Sequence, residues 1–281
     1  MILTGLNFVA VTVVVKYAAT GLPAAEAAFL RYALGLVFVI PMLRPMIAAG
    51  LSRRLAWIYS LRGAAHTIGV ILWFFAMTRI TIAEVTAMNY LTPVYVTLGA
   101  ALFLGERLAA RRLLAVAAAL LGALVILRPG FRELSVGHVT MLGTAVAFAG
   151  SYLLAKRLSG EASAAAVVGW LSVTVTLGLA PFAFAVWVPP SGGQMAWMFL
   201  VACFATAGHY TMTLAFAAAP VSVTQPVTFL QLVWAVLLGW ALFAEPLDGW
   251  VILGGAIITA AVSVIAWREH VLKARANLRR A

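Results

Sequence analysis

The sequence is poor in charged residues and contains a single cysteine. Of its 281 residues, 10% are charged and 64% are hydrophobic, whereas about a quarter of an ordinary soluble domain is charged. A soluble protein of this length cannot bury so much apolar surface, so the chain is predicted to lie in a lipid bilayer. Because Cys203 is the only cysteine, an internal disulfide and a multi-cysteine metal site are both excluded.

The net charge of +11 is spread over short groups of basic residues between apolar runs. A nucleic-acid-binding domain would present a continuous basic patch, which this sequence lacks, so no nucleic-acid partner is expected. Lys and Arg are concentrated in alternate links and in residues 268–281. By the positive-inside rule, this pattern predicts a multi-pass protein of the inner (cytoplasmic) membrane with both termini in the cytoplasm. We expect the basic tail to contact anionic lipid.

Apolar runs separated by short links predict ten membrane-spanning helices and leave little chain for an extramembrane catalytic domain. The fold class is therefore an all-α integral membrane protein. The predicted spans are Met1–Val15, Ala25–Leu43, Leu55–Met77, Ala83–Leu104, Ala109–Leu127, Val136–Ala155, Ala164–Trp187, Ala196–Ala217, Val221–Ala244 and Trp250–Trp267.

The sequence contains a weak internal repeat. Leu102–Leu108 is similar to Ala241–Leu247, and the offset between them corresponds to five predicted spans. Because five is an odd number, the second half must enter the membrane upside down relative to the first. Two inverted five-helix repeats around a central cavity are an architecture of secondary transporters, in which the substrate site lies near the bilayer midplane.

The segments Leu104-Gly105-Glu106-Arg107-Leu108 and Ala244-Glu245-Pro246-Leu247, each at the end of a fourth span, resemble the EamA branch of the drug/metabolite transporter superfamily. The resemblance covers residues 1–128 and 136–267, and residues 268–281 would be a cytoplasmic tail. Within the branch, the chain is similar to the YddG-type exporters of aromatic and other neutral amino acids. The resemblance implies alternating access and a path lined by spans three, four, eight and nine. The first span is shorter than its counterpart, so a longer natural N-terminus is expected.

Two histidines are predicted to lie deep in the membrane, His66 in the third span and His209 in the eighth. Each could simply form a hydrogen bond with a neighbouring helix. In hydrocarbon, however, an ionisable side chain is costly and usually faces a cavity, so we expect both to line the path. Trp73 and Thr213 recur at helical spacing on the same faces. Arg31 also lies within a span and needs an acceptor that its own helix does not provide.

The fourth and ninth spans each carry a polar stripe and a proline. Such stripes often only hold helices together. Proline, however, favours a break in the helix, and exposed backbone at membrane depth is tolerated only beside protein or water. We therefore expect these stripes to bind substrate, with apolar walls from Trp73, Tyr90 and Trp234. The predicted stripe contacts are Thr86, Asn89, Tyr90, Gln225, Gln231 and Trp234, with helix breaks at Pro93 and Pro226.

No Asp or Glu lies at a predicted midplane, where proton-driven antiporters commonly place a carboxylate. This absence predicts facilitated export of small neutral metabolites, such as aromatic amino acids. The alternative is a proton-coupled drug or metabolite antiporter of the same fold, with His66 or His209 as the proton carrier.

The sequence lacks the motifs of metal, nucleophile and phosphate-loop enzymes. We therefore expect no enzymatic activity, no catalytic residue, no metal and no cofactor. An integral-membrane enzyme and a non-transporting assembly protein are the alternatives from other classes. The expected partners are a small-molecule substrate and the bilayer, and the expected state is a monomer or weak dimer.

Overall fold

The computed structural model describes residues 1–18, 21–48, 50–104, 110–128, 134–158, 161–218 and 230–278, and these ranges are helical apart from short links. A 3-10 segment, Leu36–Met42, joins α2 to α3. The helices are α1 (Ile2–Ala18), α2 (Ala24–Gly35), α3 (Leu43–Ala48), α4 (Arg53–Met77), α5 (Ile82–Asn89), α6 (Leu91–Leu104), α7 (Ala110–Leu127), α8 (Val136–Leu158), α9 (Ala164–Ala185), α10 (Gly192–Ala218), α11 (Leu230–Phe243) and α12 (Gly249–Leu278).

These helices form ten successive segments, because α2 with α3 and α5 with α6 each make up one predicted span. Within the described ranges, five helical stretches are long and apolar enough to cross a membrane: Ala24–Ala48, Arg53–Met77, Val136–Ala155, Ala164–Ala185 and Gly192–Met212. Large apolar side chains remain exposed on the outside of the helices, as on Leu114 and Leu177. Apolar exposure on this scale is typical of a surface that faces lipid. The prediction of an all-α membrane protein is confirmed.

The helices pack in reciprocal pairs. Helix α4 contacts α8 and α9, and α10, five segments later, contacts α1 and α2 in the corresponding way. The pairs α2 with α9, α5 with α11 and α7 with α12 join equivalent segments of the two halves. Reciprocal pairing of this kind is what a two-fold relation between two similar units produces. The structure therefore consists of duplicated five-segment halves, as the repeat predicted.

Glycine allows the closest of these pairings. A Cβ atom at Gly122 of α7 would lie 2.7 Å from the carbonyl oxygen of Gly254 in α12, and a Cβ at Gly254 would lie 2.5 Å from that of Gly122. Neither position has room for a side chain, because the obstacle in each case is backbone. The two glycines therefore let α7 and α12 approach closely, as small residues do in membrane helix pairs.

Among the described residues, two segments are interrupted, the second and the fourth. In the fourth, α5 ends at Asn89 and α6 begins at Leu91, with Tyr90 between them and Pro93 in the first turn of α6. A proline is tolerated there, because the first turn of a helix has no internal partner for its N–H groups. In the second segment, the α-helix changes at Leu36 to the 3-10 stretch that contains Pro41. This irregularity was not predicted from the sequence. Pro226 lies outside the described residues.

Candidate functional site

Near the middle of the bundle, side chains from α2, α4, α8 and α10 meet in what we call the midplane cluster: Arg31, Tyr32, Arg62, His66, Phe148, Ser151 and His209. His66 lies halfway along α4 and is 2% exposed. Its Nδ1 atom is 3.1 Å from the Ser151 hydroxyl, and its ring centroid is 4.9 Å from that of Phe148. The ring of His209, from the second half, lies 6.0 Å away. The two predicted histidines therefore meet across the interface between the halves.

Two arginines belong to this cluster. Arg31 and Arg62 are each 6% exposed. The guanidinium of Arg31 lies 3.8 Å from the ring centroid of Tyr32, and Nη1 of Arg62 donates a 2.9 Å hydrogen bond to the carbonyl of Val167. The Nε atoms of both arginines are buried without a hydrogen-bond partner in the structure. An arginine at the centre of a membrane helix costs about 2.5–3.5 kcal/mol, so two of them call for a functional explanation.

Aromatic rings extend the cluster on both sides. The rings of Tyr59 and Trp170 are stacked at 5.8 Å between centroids, and those of Phe148 and Tyr152 are stacked at 6.2 Å. Trp73 makes an edge contact with Phe148 at 6.1 Å. The indole N–H groups of Trp73 and Trp170 are buried without an acceptor. The arrangement thus combines flat apolar walls with hydrogen-bond donors that are not used within the protein, which is typical of a small-molecule site.

The other predicted contacts lie on α5 and α11. Thr86 and Tyr90 are buried, and Tyr90 is paired with the backbone at Leu232 of α11. Asn89 accepts a local 3.4 Å hydrogen bond from Thr92.

On α11, Gln231 packs so closely on α1 that a Cβ at Gly5 would lie 2.9 Å from its Cγ, and Trp234 is 42% exposed. Gln225 and Pro226 lie outside the described residues, as do the side chains of Pro93 and Thr213. These assignments stay predictions.

Sequence reasoning missed several members of the cluster. It expected spans three, four, eight and nine to line the path, whereas Tyr32 comes from the second span and Phe148 and Ser151 from the sixth. The signal that could have found this region is Arg31, which the sequence marks as a charged residue in a span without a partner. Glu26 lies five residues before Arg31 on α2 and forms no ion pair with it in the described structure; one of its carboxylate oxygens accepts a 2.9 Å hydrogen bond from the Val188 amide.

Ion pairs between the halves join the helices at one end of the bundle, which we call the Lys16 end. Lys16 forms an ion pair with Glu245 and donates a 3.0 Å hydrogen bond to the carbonyl of Ile80. The other Glu245 oxygen accepts a 3.0 Å hydrogen bond from the amide of Ile82. Two further cross-half contacts at this end are the ion pair of Arg128 with Asp248 and the 3.2 Å contact between Nε2 of His138 and the Glu84 carboxylate.

The opposite end of the bundle, which we call the Arg54 end, has a different contact. Arg54 forms a two-pronged ion pair with Glu161, with N–O distances of 2.9 and 3.0 Å. The side chains are 56% and 34% exposed. Since α4 runs between the two ends over 25 residues, they are about 37 Å apart.

Comparisons with known proteins establish the family. Residues 1–128 and 135–267 each match the EamA-like transporter family. The chain belongs to this family. This EamA-like protein is 32% identical over 275 residues to a riboflavin transporter of Rhizobium johnstonii, covering 96% of this chain and 90% of the relative. It is 27% identical to the pseudopaline exporter CntI of Pseudomonas aeruginosa, covering 92% of each chain.

A third relative is an S-adenosylmethionine uptake transporter of Rickettsia prowazekii, at 21% identity over 90% of this chain and 86% of the relative. A crystal structure covers 94% of this chain and 95% of its own, with a TM-score of 0.62 and 20% identity, and so supports the fold. The EamA-like chain is thus a multi-pass membrane transporter for a small metabolite and not an enzyme. The prediction of the EamA branch is confirmed, whereas these relatives do not support the narrower assignment to amino-acid exporters of the YddG type.

Proposed function

We propose that this EamA-like transporter carries a flat aromatic metabolite of the riboflavin type across the cytoplasmic membrane. The observation that carries the proposal is the midplane cluster, in which stacked aromatic rings lie beside donors without an acceptor in the protein. A flavin ring offers a broad flat face for stacking and carbonyl oxygens for hydrogen bonds. The riboflavin transporters among the relatives support the same substrate class.

Alternating access would follow from the two halves. The cluster draws on both of them, since His66 belongs to the first half and Phe148 and His209 to the second. In the proposed cycle, the pair Lys16–Glu245 breaks when the Lys16 end opens, while the helices close at the Arg54 end. The substrate would stay between the halves while access changes from one side to the other.

We propose facilitated transport, without obligatory proton exchange, because all eight Asp and Glu residues fall outside the predicted midplane. A carrier of this type moves its substrate down the concentration gradient, and export of a solute made in the cytoplasm is the direction we expect. The competing mechanism is proton exchange with His66 or His209 as the proton carrier.

Flux from proteoliposomes tests substrate and energy source together. Purified protein is reconstituted, and the vesicles are loaded with riboflavin, tryptophan or phenylalanine. We expect riboflavin to leave faster than from protein-free vesicles. If only the amino acids leave, the predicted amino-acid exporter is correct and the flavin proposal is wrong. An imposed pH gradient is the second variable: uphill accumulation that an ionophore abolishes would contradict facilitated transport.

A variant separates specific transport from leakage. Replacing Trp170 with alanine removes the partner of Tyr59 in the aromatic stack, and base–aromatic stacking in other proteins is worth about 1–3 kcal/mol per ring. We expect the W170A variant to need an about tenfold higher riboflavin concentration for half-maximal flux than the unmutated protein. W197A removes an equally large side chain that lies outside the cluster, packs against Tyr17 and is 40% exposed, and it should transport normally.

A further inference from the structure

We propose that Arg31 and Arg62 form an anion-binding subsite in the middle of the transport path, where they hold a carboxylate or phosphate group of the substrate. This inference rests on the proposed function, since the subsite acts only on a solute that passes the midplane cluster. It narrows the substrate class from aromatic metabolites in general to those that carry a negative charge.

The first step is the charge balance of the buried region. Neither arginine forms an ion pair with a carboxylate in the described part of the chain. At the Lys16 end, one Glu26 oxygen accepts a hydrogen bond from the Val188 amide. The other described carboxylates there contact Lys16, Arg128 or His138; they are Glu245, Asp248 and Glu84. Glu161, at the Arg54 end, pairs with Arg54. Two positive charges therefore lie in the interior of a membrane protein, and no carboxylate of the described residues forms an ion pair with either of them.

The second step is the hydrogen bonding of the guanidinium groups. The guanidinium of Arg31 contacts Tyr32, and its Nε is buried without an acceptor. Arg62 uses Nη1 to bind the Val167 carbonyl, but its Nε is buried without an acceptor. Arginines near helix ends usually extend to the lipid headgroups and so avoid hydrocarbon. Arg31 and Arg62 are only 6% exposed and stay inside the protein instead. Both groups thus offer donors inside the protein.

The third step is that the two arginines face the same place. Arg62 and His66 are four residues apart, on one face of α4. Tyr32 follows Arg31 on α2, and its ring centroid is 6.3 Å from that of His66. Donors from two helices therefore converge on one cluster. A guanidinium group matches the geometry of a carboxylate or phosphate, to which it can donate two parallel hydrogen bonds.

The fourth step compares an anion with a zwitterion. The described part of the cluster contains no carboxylate that could pair with the amino group of an amino acid. An aromatic anion, in contrast, could place its charge at the arginines and its ring against Tyr59 and Trp170. Arg62 donates a hydrogen bond to the carbonyl of Val167, and Trp170 follows three residues later on α9. The guanidinium group of Arg62 is therefore close to the aromatic stack.

Binding of matched flavins tests the subsite. The full chain in nanodiscs is titrated with riboflavin, with riboflavin phosphate and with a flavin that carries a carboxylate instead, and flavin fluorescence is followed. We expect both anionic flavins to bind about tenfold more tightly than riboflavin, as charge-assisted hydrogen bonds predict. Preference for one anion alone identifies which group the subsite takes. Equal binding of all three flavins would overturn the proposal.

Variants locate the effect. In R31Q and R62Q, the preference for anionic over neutral flavin should fall about tenfold, and R62K should keep part of it because the charge remains. R44Q removes an exposed arginine at the beginning of α3 and should keep the full preference. Loss of binding to neutral and anionic flavins by the same factor in R31Q would show that Arg31 has no role in charge recognition.

Thermal unfolding distinguishes a binding role from a structural one. Without ligand, R31Q should unfold at or above the temperature of the unmutated protein, because a buried charge without a protein partner is removed. A marked decrease would show that Arg31 holds the fold together and would overturn the proposal. The measurement needs no transport.

A second probe separates failure of the subsite from failure of the proposed function. Benzoate and benzamide have the same ring, but only benzoate is charged. If no flavin binds or moves, the proposed function is wrong. The subsite then stands if benzoate raises the unfolding temperature more than benzamide and R31Q abolishes the difference, and it falls if benzoate and benzamide act alike.

Discussion

The two ends of the bundle are held in different ways, although the chain is built from two similar halves. At the Lys16 end, the carboxylate of Glu245 is largely buried, with 9% of its side chain exposed, and it binds both Lys16 and the backbone at the start of α5. At the Arg54 end, one ion pair lies largely in the open. Removing one partner of a buried ion pair is costly, because the remaining charge stays buried without a partner. Separating an exposed pair costs little free energy. Among the described residues, the contacts at the two ends therefore differ although the fold is duplicated.

This difference has a consequence for transport. If the ends open in turn, the barrier to opening the Lys16 end includes the separation of a partly buried ion pair, while the Arg54 end opens against solvent-exposed contacts. The structure would then correspond to a state in which the Lys16 end is closed.

The first prediction assigns the ends to the two sides of the membrane. From the positive-inside rule, we predict that the Lys16 end faces the outside and the Arg54 end faces the cytoplasm. In a C203S background, L247C introduces a thiol at a position that is 58% exposed beside Asp248, and L51C introduces one that is 48% exposed just before α4. An impermeant maleimide applied to intact cells should label L247C and spare L51C. Inside-out vesicles should reverse the result, and the opposite pattern would contradict the inverted arrangement.

The second prediction concerns Glu245. In E245Q, the charge of Lys16 loses its partner while both side chains stay largely buried, which costs about 1.5–3 kcal/mol for a charged hydrogen bond. The state with a closed Lys16 end should become about ten- to a hundredfold less populated, and riboflavin flux should fall accordingly. A double variant, K16M with E245Q, removes both charges and should recover part of the lost stability.

Normal flux in E245Q, at matched amounts of folded protein, would show that the pair plays no part in the cycle. An equal loss of stability in the single and double variants would show that Glu245 acts through the Ile82 amide alone.

The third prediction moves from the ends to the middle. Replacing His209 or Gln225 with alanine should reduce flux about tenfold, if each makes one hydrogen bond to a charged or strongly polar group of the substrate. T144A and S263A are the controls. Thr144 donates its hydroxyl within its own helix, to the Thr140 carbonyl, and its loss should change flux little. Full flux in both H209A and Q225A would show that the polar stripes only hold the helices together.

The parts of the fold that could be predicted from sequence are those fixed by hydropathy. Long apolar runs fixed the existence of the helices, and the structure begins or ends most of them within a few residues of the predicted positions, as with α8 and α9. The second segment is the exception. Its 3-10 stretch contains Pro41, which by itself disfavours a regular α-helix, but no polar stripe accompanies that proline as in the fourth and ninth spans.

The midplane cluster was harder to predict, because its members come from four helices and meet only through packing. Helical spacing connects residues on one helix, such as Arg62 with His66, but contains no information about which face of α8 will contact α4. The contact between His66 and Ser151 depends on that packing. Charge in an apolar run is the exception: Arg31 could be singled out from the sequence alone, because a membrane span provides no place for it unless the fold does.

The last prediction has the smallest effect and concerns the Arg54 end. Because its side chains are 56% and 34% exposed, the pair Arg54–Glu161 should contribute only about 0.2–1 kcal/mol, and salt should screen most of it. In E161Q, flux should therefore change less than about fivefold, and the difference from the unmutated protein should shrink as the ionic strength rises. A loss as large as that of E245Q, or one that high salt leaves intact, would show that the Arg54 end is held as firmly as the Lys16 end, and the proposed asymmetry between the two gates would be wrong.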